Sequence, residues 1–253
     1  MCTFVILRRM GHDWPVLVAA NRDEMIDRPW QPPGRHWPDR PEIVAGRDVL
    51  AGGSWLGIND FGVVAGILNR HGSLGPAPGQ RSRGELVLEA LDHADAREAA
   101  DALVRLEPAA YRTFNLIIAD NRDTFWLRHA DPSGTLPITA TALKPGLSMI
   151  AAGDLDDDET PRLRRYHPLF AHAPPPDPAR GDWGAWEALL ADDRFAPEEG
   201  PQGAMRFDTG RGFATVSSAL IALPSAARRD FKPVFRFAAL QPEPTPWADV
   251  KLS

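Results

Sequence analysis

Short apolar runs separated by turn residues dominate the first third of the chain. Residues 3–7 and 16–20 flank a polar turn, which predicts a β-hairpin whose strands are buried on both faces. Residues 51–55 and 63–68 flank a turn at 59–62 and predict a second hairpin. Residues 28–42 contain five prolines and two tryptophans. That composition indicates an ordered irregular loop and not a helix.

The pattern then changes to helical spacing and back to strands. Ser82 with Glu85, and Asp95 with Glu98, each resemble a capping box before an apolar run, and Pro108 ends the second helix. Later segments with strand or helix patterns are strands 114–119, 124–128 and 146–152, helices 160–170 and 183–190, and strands 213–223 and 231–238. Strands, then helices, then strands do not form a regular βαβ alternation. We therefore expect one α+β layered domain over residues 1–253 with largely antiparallel sheets.

Composition narrows the class of protein. The 253 residues are 43% hydrophobic and 25% charged, which is typical of a chain with a full core. The net charge of −6 disfavours a nucleic-acid partner, and no apolar run is long enough for a membrane span. Cys2 is the only cysteine, which excludes an internal disulfide and a thiolate metal site. We expect a cytoplasmic protein without a metal, and the oligomeric state stays open.

Cys2 is the first candidate for chemistry. Removal of Met1 before this small residue would leave a thiol and an α-amine on one residue. The amine has an ordinary pKa of about 7.7–8.0, so it can act as a base for its own thiol. The alternative is that Cys2 is a small buried side chain at the start of a strand.

Polar residues close the second predicted strand at Asn21-Arg22-Asp23-Glu24. If this strand pairs with the one that follows Cys2, both strand ends lie at the same rim of the sheet. Asp23 would then hold the α-ammonium group, and Arg22 would lower the thiol pKa or bind a substrate carboxylate. The alternative is a solvated turn with local charge pairs.

Two further segments carry candidate residues. Trp55 lies in the stretch Gly-Gly-Ser-Trp-Leu-Gly, where the glycines permit close backbone approach. Asn69 and Arg70 follow the strand at 63–68, and the Asn69 amide could donate to an oxyanion. The alternatives are a hairpin corner with Trp55 in the core and an ordinary turn at a strand end.

Together these motifs resemble the NRDE family, the relatives of the transport and Golgi organisation 2 protein. The resemblance rests on Met-Cys-Thr, on Asn21-Arg22-Asp23-Glu24, on Ala-Gly-Arg-Asp at 45–48, on the Trp55 stretch and on Asn69-Arg70. It implies the four-layer αββα sandwich of amino-terminal nucleophile hydrolases. It also implies that Cys2 attacks an amide, that Asp23 contacts the α-amine and that Asn69 helps to form the oxyanion hole.

The chain departs from the hydrolase pattern at three places. Ala20 stands where those hydrolases carry an arginine, although Arg22 lies nearby, and an expected asparagine is absent at 152–154. A late arginine has no certain counterpart, although Arg206 or Arg211 could serve.

The functional interpretation stays open between two classes of protein. One is an amino-terminal-cysteine hydrolase or acyltransferase acting on amide or thioester bonds of a small acyl substrate, with no required cofactor. Its catalytic residues would be Cys2, Asp23, Asn69 and Arg22, and its substrate contacts Asn21, Glu24, Trp55 and Arg70. The other is a non-catalytic carrier of haem or of a lipid or acyl-CoA ligand, which are the molecules with which the resemblance associates the family.

Overall fold

The computed structural model describes residues 2–252, and these form two compact units. The first unit combines residues 2–28 with 145–250, and the second contains residues 29–144 with 251–252. The expectation of one domain over 1–253 stays a prediction. No helix within 2–252 combines the length and the apolar composition that crossing a membrane requires.

The elements follow one another in the chain with these bounds. The strands are β1 (Thr3–Arg8), β2 (Val16–Met25), β3 (Trp30–Gly34), β4 (Ile43–Asp48), β5 (Leu56–Asn59), β6 (Val64–Asn69), β7 (Phe114–Ala119), β8 (Thr124–His129), β9 (Thr139–Ala142), β10 (Gly146–Ile150), β11 (Phe213–Leu223), β12 (Val234–Ala239) and β13 (Ala248–Asp249). The helices are α1 (Gly84–Leu91), α2 (Ala96–Leu103), α3 (Pro161–His172) and α4 (Gly184–Leu190).

The first unit is an antiparallel sheet with α3 and α4 packed on one face. Its strand order is β10-β1-β2-β11-β12-β13. The core of this unit draws apolar side chains from both layers, namely Val5, Leu17, Ala19, Met149, Leu220, Leu163, Tyr166, Phe170, Trp186 and Leu190. The two helices meet through an edge-to-face contact of Phe170 with Trp186, whose ring centroids are 5.4 Å apart.

The second unit is an antiparallel meander in which β3 to β9 pair in chain order. Helices α1 and α2 supply Leu86, Leu91 and Leu103 to its core. A buried side chain ties one turn of the sheet to a helix end, because the Asn59 amide nitrogen donates to the carbonyls of Leu91 and His93. The helices are thus fixed to the sheet by hydrogen bonds as well as by apolar packing.

The helix-start signals are confirmed in full at α2 and in part at α1. Asp95 accepts a hydrogen bond from the backbone N–H of Glu98 at 2.8 Å, which confirms the predicted cap of α2. The prediction at Ser82 is confirmed in part, because its hydroxyl accepts from the Gly84 N–H at 3.2 Å at the start of α1, although Arg83 holds the N-cap position and Glu85 does not complete the capping box. The carboxylate of Glu85 pairs instead with Arg81 and accepts from the Tyr111 hydroxyl, so it is not available to cap the backbone.

Two strand predictions also need correction. The first strand of the second hairpin is β5 and not residues 51–55, and β4 was not predicted. Part of the expected loop at 28–42 is the strand β3, at one edge of its sheet. Prolines are tolerated there because an edge strand has one side without ladder hydrogen bonds.

Gly53 lies where the chain approaches the start of α1. A side-chain Cβ at this position would lie 2.6 Å from the Gly84 carbonyl oxygen and 2.8 Å from the Glu85 nitrogen. The adjacent Ser54 N–H donates to that same Gly84 oxygen at 2.9 Å. Gly53 therefore permits a close backbone contact between these two segments, which the side chain of any larger residue would disrupt.

We predict that Gly53→Ala lowers the free energy of unfolding by about 1–3 kcal/mol, because the added methyl group overpacks a backbone contact. Urea unfolding followed by circular dichroism measures this change. Gly184→Ala is the matched control, since a Cβ there meets nothing within 4 Å. Equal unfolding midpoints for the two variants would contradict the prediction.

Candidate active site

Strand β2 sends alternate side chains to opposite faces of the sheet in the first unit. Leu17 and Ala19 pack in the core with α3 and α4, so Asn21 and Asp23 project to that helix-bearing face. Arg22 projects to the other face. Thr3 pairs with Asn21, so the same alternation places Cys2 on the face that carries Arg22.

A buried ion pair joins Asp23 to Arg162 of α3. The Arg162 Nη1 atom lies 2.8 Å from Asp23 Oδ2, and the two side chains are 1% and 0% exposed. The same nitrogen donates to Thr3 Oγ1 at 2.7 Å, and Nε donates to the Gln202 carbonyl at 3.2 Å. The guanidinium also lies 5.2 Å from the centre of the Phe207 ring. Multiple hydrogen bonds are what a buried charge pair needs to offset its lost hydration.

A β-bulge aligns β11 with this pair. Asn21 lies opposite Ser218, whereas Asp23 lies opposite Thr215, with a register shift between Thr215 and Ser217. Thr215 and Ser218 are three residues apart and would face opposite sides of a regular strand. The extra residue, Val216, brings both hydroxyls to the helix-bearing face. There Thr215 donates to Asp23 Oδ1 at 2.8 Å, and Ser218 donates to Asn21 Oδ1 at 2.6 Å.

The Cys2 thiol lies against the backbone of Asp23. Its Sγ donates to the Asp23 carbonyl at 3.7 Å. Burial raises the pKa of the Cys2 thiol, and the Asp23 carboxylate raises it further, whereas Arg22 acts in the opposite sense. The thiol is therefore mostly protonated at neutral pH. The predicted removal of Met1 concerns a residue outside the described part of the chain and stays a prediction.

The structure places the remaining candidates of β2 in different surroundings. The interpretation of 21–24 as a solvated turn is wrong, because Asn21, Arg22 and Asp23 are buried within the strand. Glu24 is half-buried and lies 4.0 Å from Arg22 and 3.7 Å from Arg28. Both hydrogens of the Asn21 amide are used by the carbonyls of Leu190 and Met205. Asn21 therefore supports the fold on the helix-bearing face, and its amide hydrogens are not available to a substrate.

Asn69 and Arg70 lie at the end of β6 in the second unit. Asn69 is half-buried and is the last residue of the strand. Arg70 donates to Asn115 Oδ1 at 2.7 Å, and its backbone N–H donates to Ser73 Oγ at 3.0 Å. The hydroxyl of Ser73 also accepts from Arg83 at 2.8 Å. These bonds fix the chain directly after Asn69.

Trp55 is held in the same unit by a glycine and a second tryptophan. A Cβ on Gly46 would fall 2.9 Å from Cε2 of the Trp55 indole, so the ring covers this glycine. The rings of Trp30 and Trp55 meet edge-to-face with centroids 5.8 Å apart. Trp55 is half-buried and is not among the core residues of this unit, so the alternative that placed it in the core is wrong.

Sequence reasoning missed Arg162 as a site residue. Arg206 and Arg211 were considered instead, and both lie in the segment before β11 and not in the ion pair with Asp23. One signal was present, because Arg162, Tyr166 and Phe170 fall at helical spacing on one buried stripe. An arginine in an apolar stripe indicates a buried partner, although the pattern does not say which one.

Comparison with known proteins places the chain in a family. The sequence profile of the family described as Transport and Golgi organisation 2 matches residues 1–174. The chain belongs to the Transport and Golgi organisation 2 family. The mouse Transport and Golgi organization 2 homolog is 36% identical over 108 residues, which cover 42% of this chain and 38% of the mouse protein. The human homolog is 36% identical over 110 residues, with the same coverage. The matched region thus spans well under half of these relatives.

Solved structures share the fold of this family member at low sequence identity. A Caenorhabditis elegans ortholog of N-acylethanolamine-hydrolyzing acid amidase has a TM-score of 0.58 and 12% identity, covering 89% of this chain and 95% of that one. Penicillin V acylase from Agrobacterium tumefaciens has a TM-score of 0.52 and 16% identity, covering 98% and 86%. A variant of conjugated bile acid hydrolase from Clostridium perfringens has a TM-score of 0.57 and 11% identity, covering 99% and 92%. The predicted α+β fold of amino-terminal nucleophile hydrolases is confirmed.

We predict that Thr215→Val lowers the free energy of unfolding by about 1–3 kcal/mol. The variant keeps the shape of the side chain but removes the donor to Asp23 and the acceptor of the Phe207 N–H. Chemical unfolding measures the loss. Thr141→Val on the exposed strand β9 is the control, expected within about 0.5 kcal/mol of the parent. A similarly small change in Thr215→Val would show that its hydroxyl does not stabilise the pair.

We predict that iodoacetamide alkylates Cys2 of the full chain, Met1 included, more slowly than free cysteine at pH 7.5. The thiolate is the reacting form, and a raised thiol pKa lowers its fraction at a given pH. The rate should still rise above about pH 9, and mass spectrometry follows it at the single cysteine. The urea-unfolded chain provides the reference, and a titration midpoint below that of the unfolded chain would refute the raised pKa.

Proposed function

We propose that this family member is an amino-terminal-cysteine hydrolase or acyltransferase acting on amide or thioester bonds of a small acyl substrate. The observation that carries the proposal is the position of the Cys2 thiol at the start of β1, against Asp23 and near Arg22. The three proteins whose fold it shares are named as an amidase, an acylase and a hydrolase. A nucleophile at the chain start suits that chemistry once Met1 has been removed.

In the proposed reaction, Cys2 Sγ forms a bond to the substrate carbonyl carbon while its proton passes to the α-amine of the same residue. The tetrahedral intermediate expels an amine or a thiol, which takes that proton, and leaves a thioester on Cys2. Water or an acceptor then attacks the thioester and regenerates the thiol. A raised thiol pKa makes such a base necessary, because little thiolate exists beforehand.

Other residues take supporting roles in this proposal. Asp23 holds the ammonium form of the amine, and Arg22 favours the thiolate. The assignments of Asn69 as an oxyanion donor and of Glu24, Trp55 and Arg70 as substrate contacts remain predictions from the sequence. A cytoplasmic location is part of the same proposal.

The alternative is a non-catalytic carrier of haem or of a lipid or acyl-CoA ligand. The observation on its side is that the Cys2 thiol donates to the Asp23 carbonyl in a buried environment that raises its pKa, so the thiol is not activated in the chain that retains Met1. Such a carrier would need neither removal of Met1 nor a proton relay.

The decisive experiment combines the intact mass of the native protein with turnover of a panel of acyl amides and acyl thioesters. We expect loss of Met1 and substrate turnover that Cys2→Ala reduces by at least about a thousandfold without changing the circular dichroism spectrum. We expect Asn69→Ala to reduce turnover by roughly a hundredfold to a thousandfold if it donates to the oxyanion.

Retained turnover in Cys2→Ala would remove this residue from the mechanism. A retained Met1, no turnover and a haem absorption shift that survives Cys2→Ala would favour the carrier.

A further inference from the structure

Arg162 has no role in the reaction proposed above, yet it contacts the residues that surround the nucleophile. It is a helix residue from α3 and lies on the helix-bearing face of the sheet, opposite to the face assigned to Cys2. Its side chain is 1% exposed and makes the ion pair with Asp23. A buried arginine is costly to desolvate, so its charge has to be offset by the groups that it contacts.

The contacts of Arg162 connect the two strand ends next to the thiol. Thr3, which accepts from Nη1, follows Cys2 directly in the chain. Asp23 binds the same guanidinium through its side chain, while its backbone carbonyl accepts from the Cys2 thiol. One arginine thus holds a neighbour of Cys2 in β1 and the hydrogen-bond partner of Cys2 in β2.

We propose that Arg162 is a positioning residue for Cys2, which clamps Thr3 to Asp23 and compensates the Asp23 charge beside the thiol. The Thr215 hydroxyl donates to the other carboxylate oxygen, so both oxygens of Asp23 are held within the clamp. The importance of this clamp for catalysis rests on the proposed function, but its effect on the thiol does not.

The charges around the thiol define what loss of Arg162 should do. Strand β2 presents Asp23 and Arg22, and α3 presents Arg162 behind the carboxylate. On the other side of β1, β10 and the two alanines after it carry no charge. Without Arg162, the Asp23 carboxylate loses this cationic partner, and the thiolate is disfavoured.

The test is the pH profile of Cys2 alkylation by iodoacetamide in the full chain with Met1 retained, verified by mass. Arg162→Met should move the midpoint of the profile upward by about one pH unit, which is about a tenfold slower reaction at pH 7.5. Arg162→Lys keeps the cation and should restore the midpoint to near that of the parent. Arg164→Met removes a 53% exposed arginine two positions along the same helix and should change nothing.

A second variant covers the case in which Arg162→Met does not fold. The double variant Asp23→Asn with Arg162→Met removes both charges, and its midpoint should return to that of the parent or fall below it, because the carboxylate that disfavours the thiolate is gone. A folded Arg162→Met with an unchanged or lower midpoint would overturn the proposal. So would a double variant that titrates above the parent. The titration needs no substrate, so absence of turnover would refute the hydrolase proposal while leaving this result intact.

Discussion

The first unit depends on neutralising one carboxylate in its interior. Asp23 and Arg162 come from segments 139 residues apart and meet with almost no exposed surface. Removing one partner of such a pair typically costs about 3–5 kcal/mol, because the other charge is left buried. The pair therefore constrains β1, β2, β11 and α3 together, since each of these elements supplies a partner to it.

The two faces of this sheet carry different groups of polar residues. The helix-bearing face holds Asn21 and Asp23 in a network with the hydroxyls of Thr215 and Ser218. The opposite face carries Cys2 and Arg22. Successive residues of one short motif therefore divide between the helix-bearing face and the face that carries Cys2. This division explains how four adjacent polar residues can be accommodated at the end of a buried strand.

Local patterns predicted the parts of the fold that local chemistry determines. The first hairpin follows from two short apolar runs around a polar turn, and the start of α2 follows from an aspartate that can cap a backbone N–H. At α1, Ser82 accepts from the Gly84 N–H, but the Glu85 carboxylate binds Arg81 and Tyr111 and does not complete the capping box. Strand β3 was missed because its prolines are acceptable only at an edge, and an edge is a property of the whole sheet. Cys2 and Asp23 were found as neighbours, but the Arg162 partnership is long-range and leaves only the trace of an arginine in an apolar stripe.

The bulge at Val216 has a consequence for how this chain can change over time. Which face each side chain of strand β11 occupies depends on the number of residues and not on their type. Deleting Val216 itself would leave Thr215 opposite Asp23 and Ser218 opposite Asn21 in a regular ladder. Deleting one residue between Ser218 and Leu223 would instead turn every residue on one side of the lesion to the opposite face of the sheet. Loss of a codon should therefore be tolerated in this strand at the bulge and not beyond it.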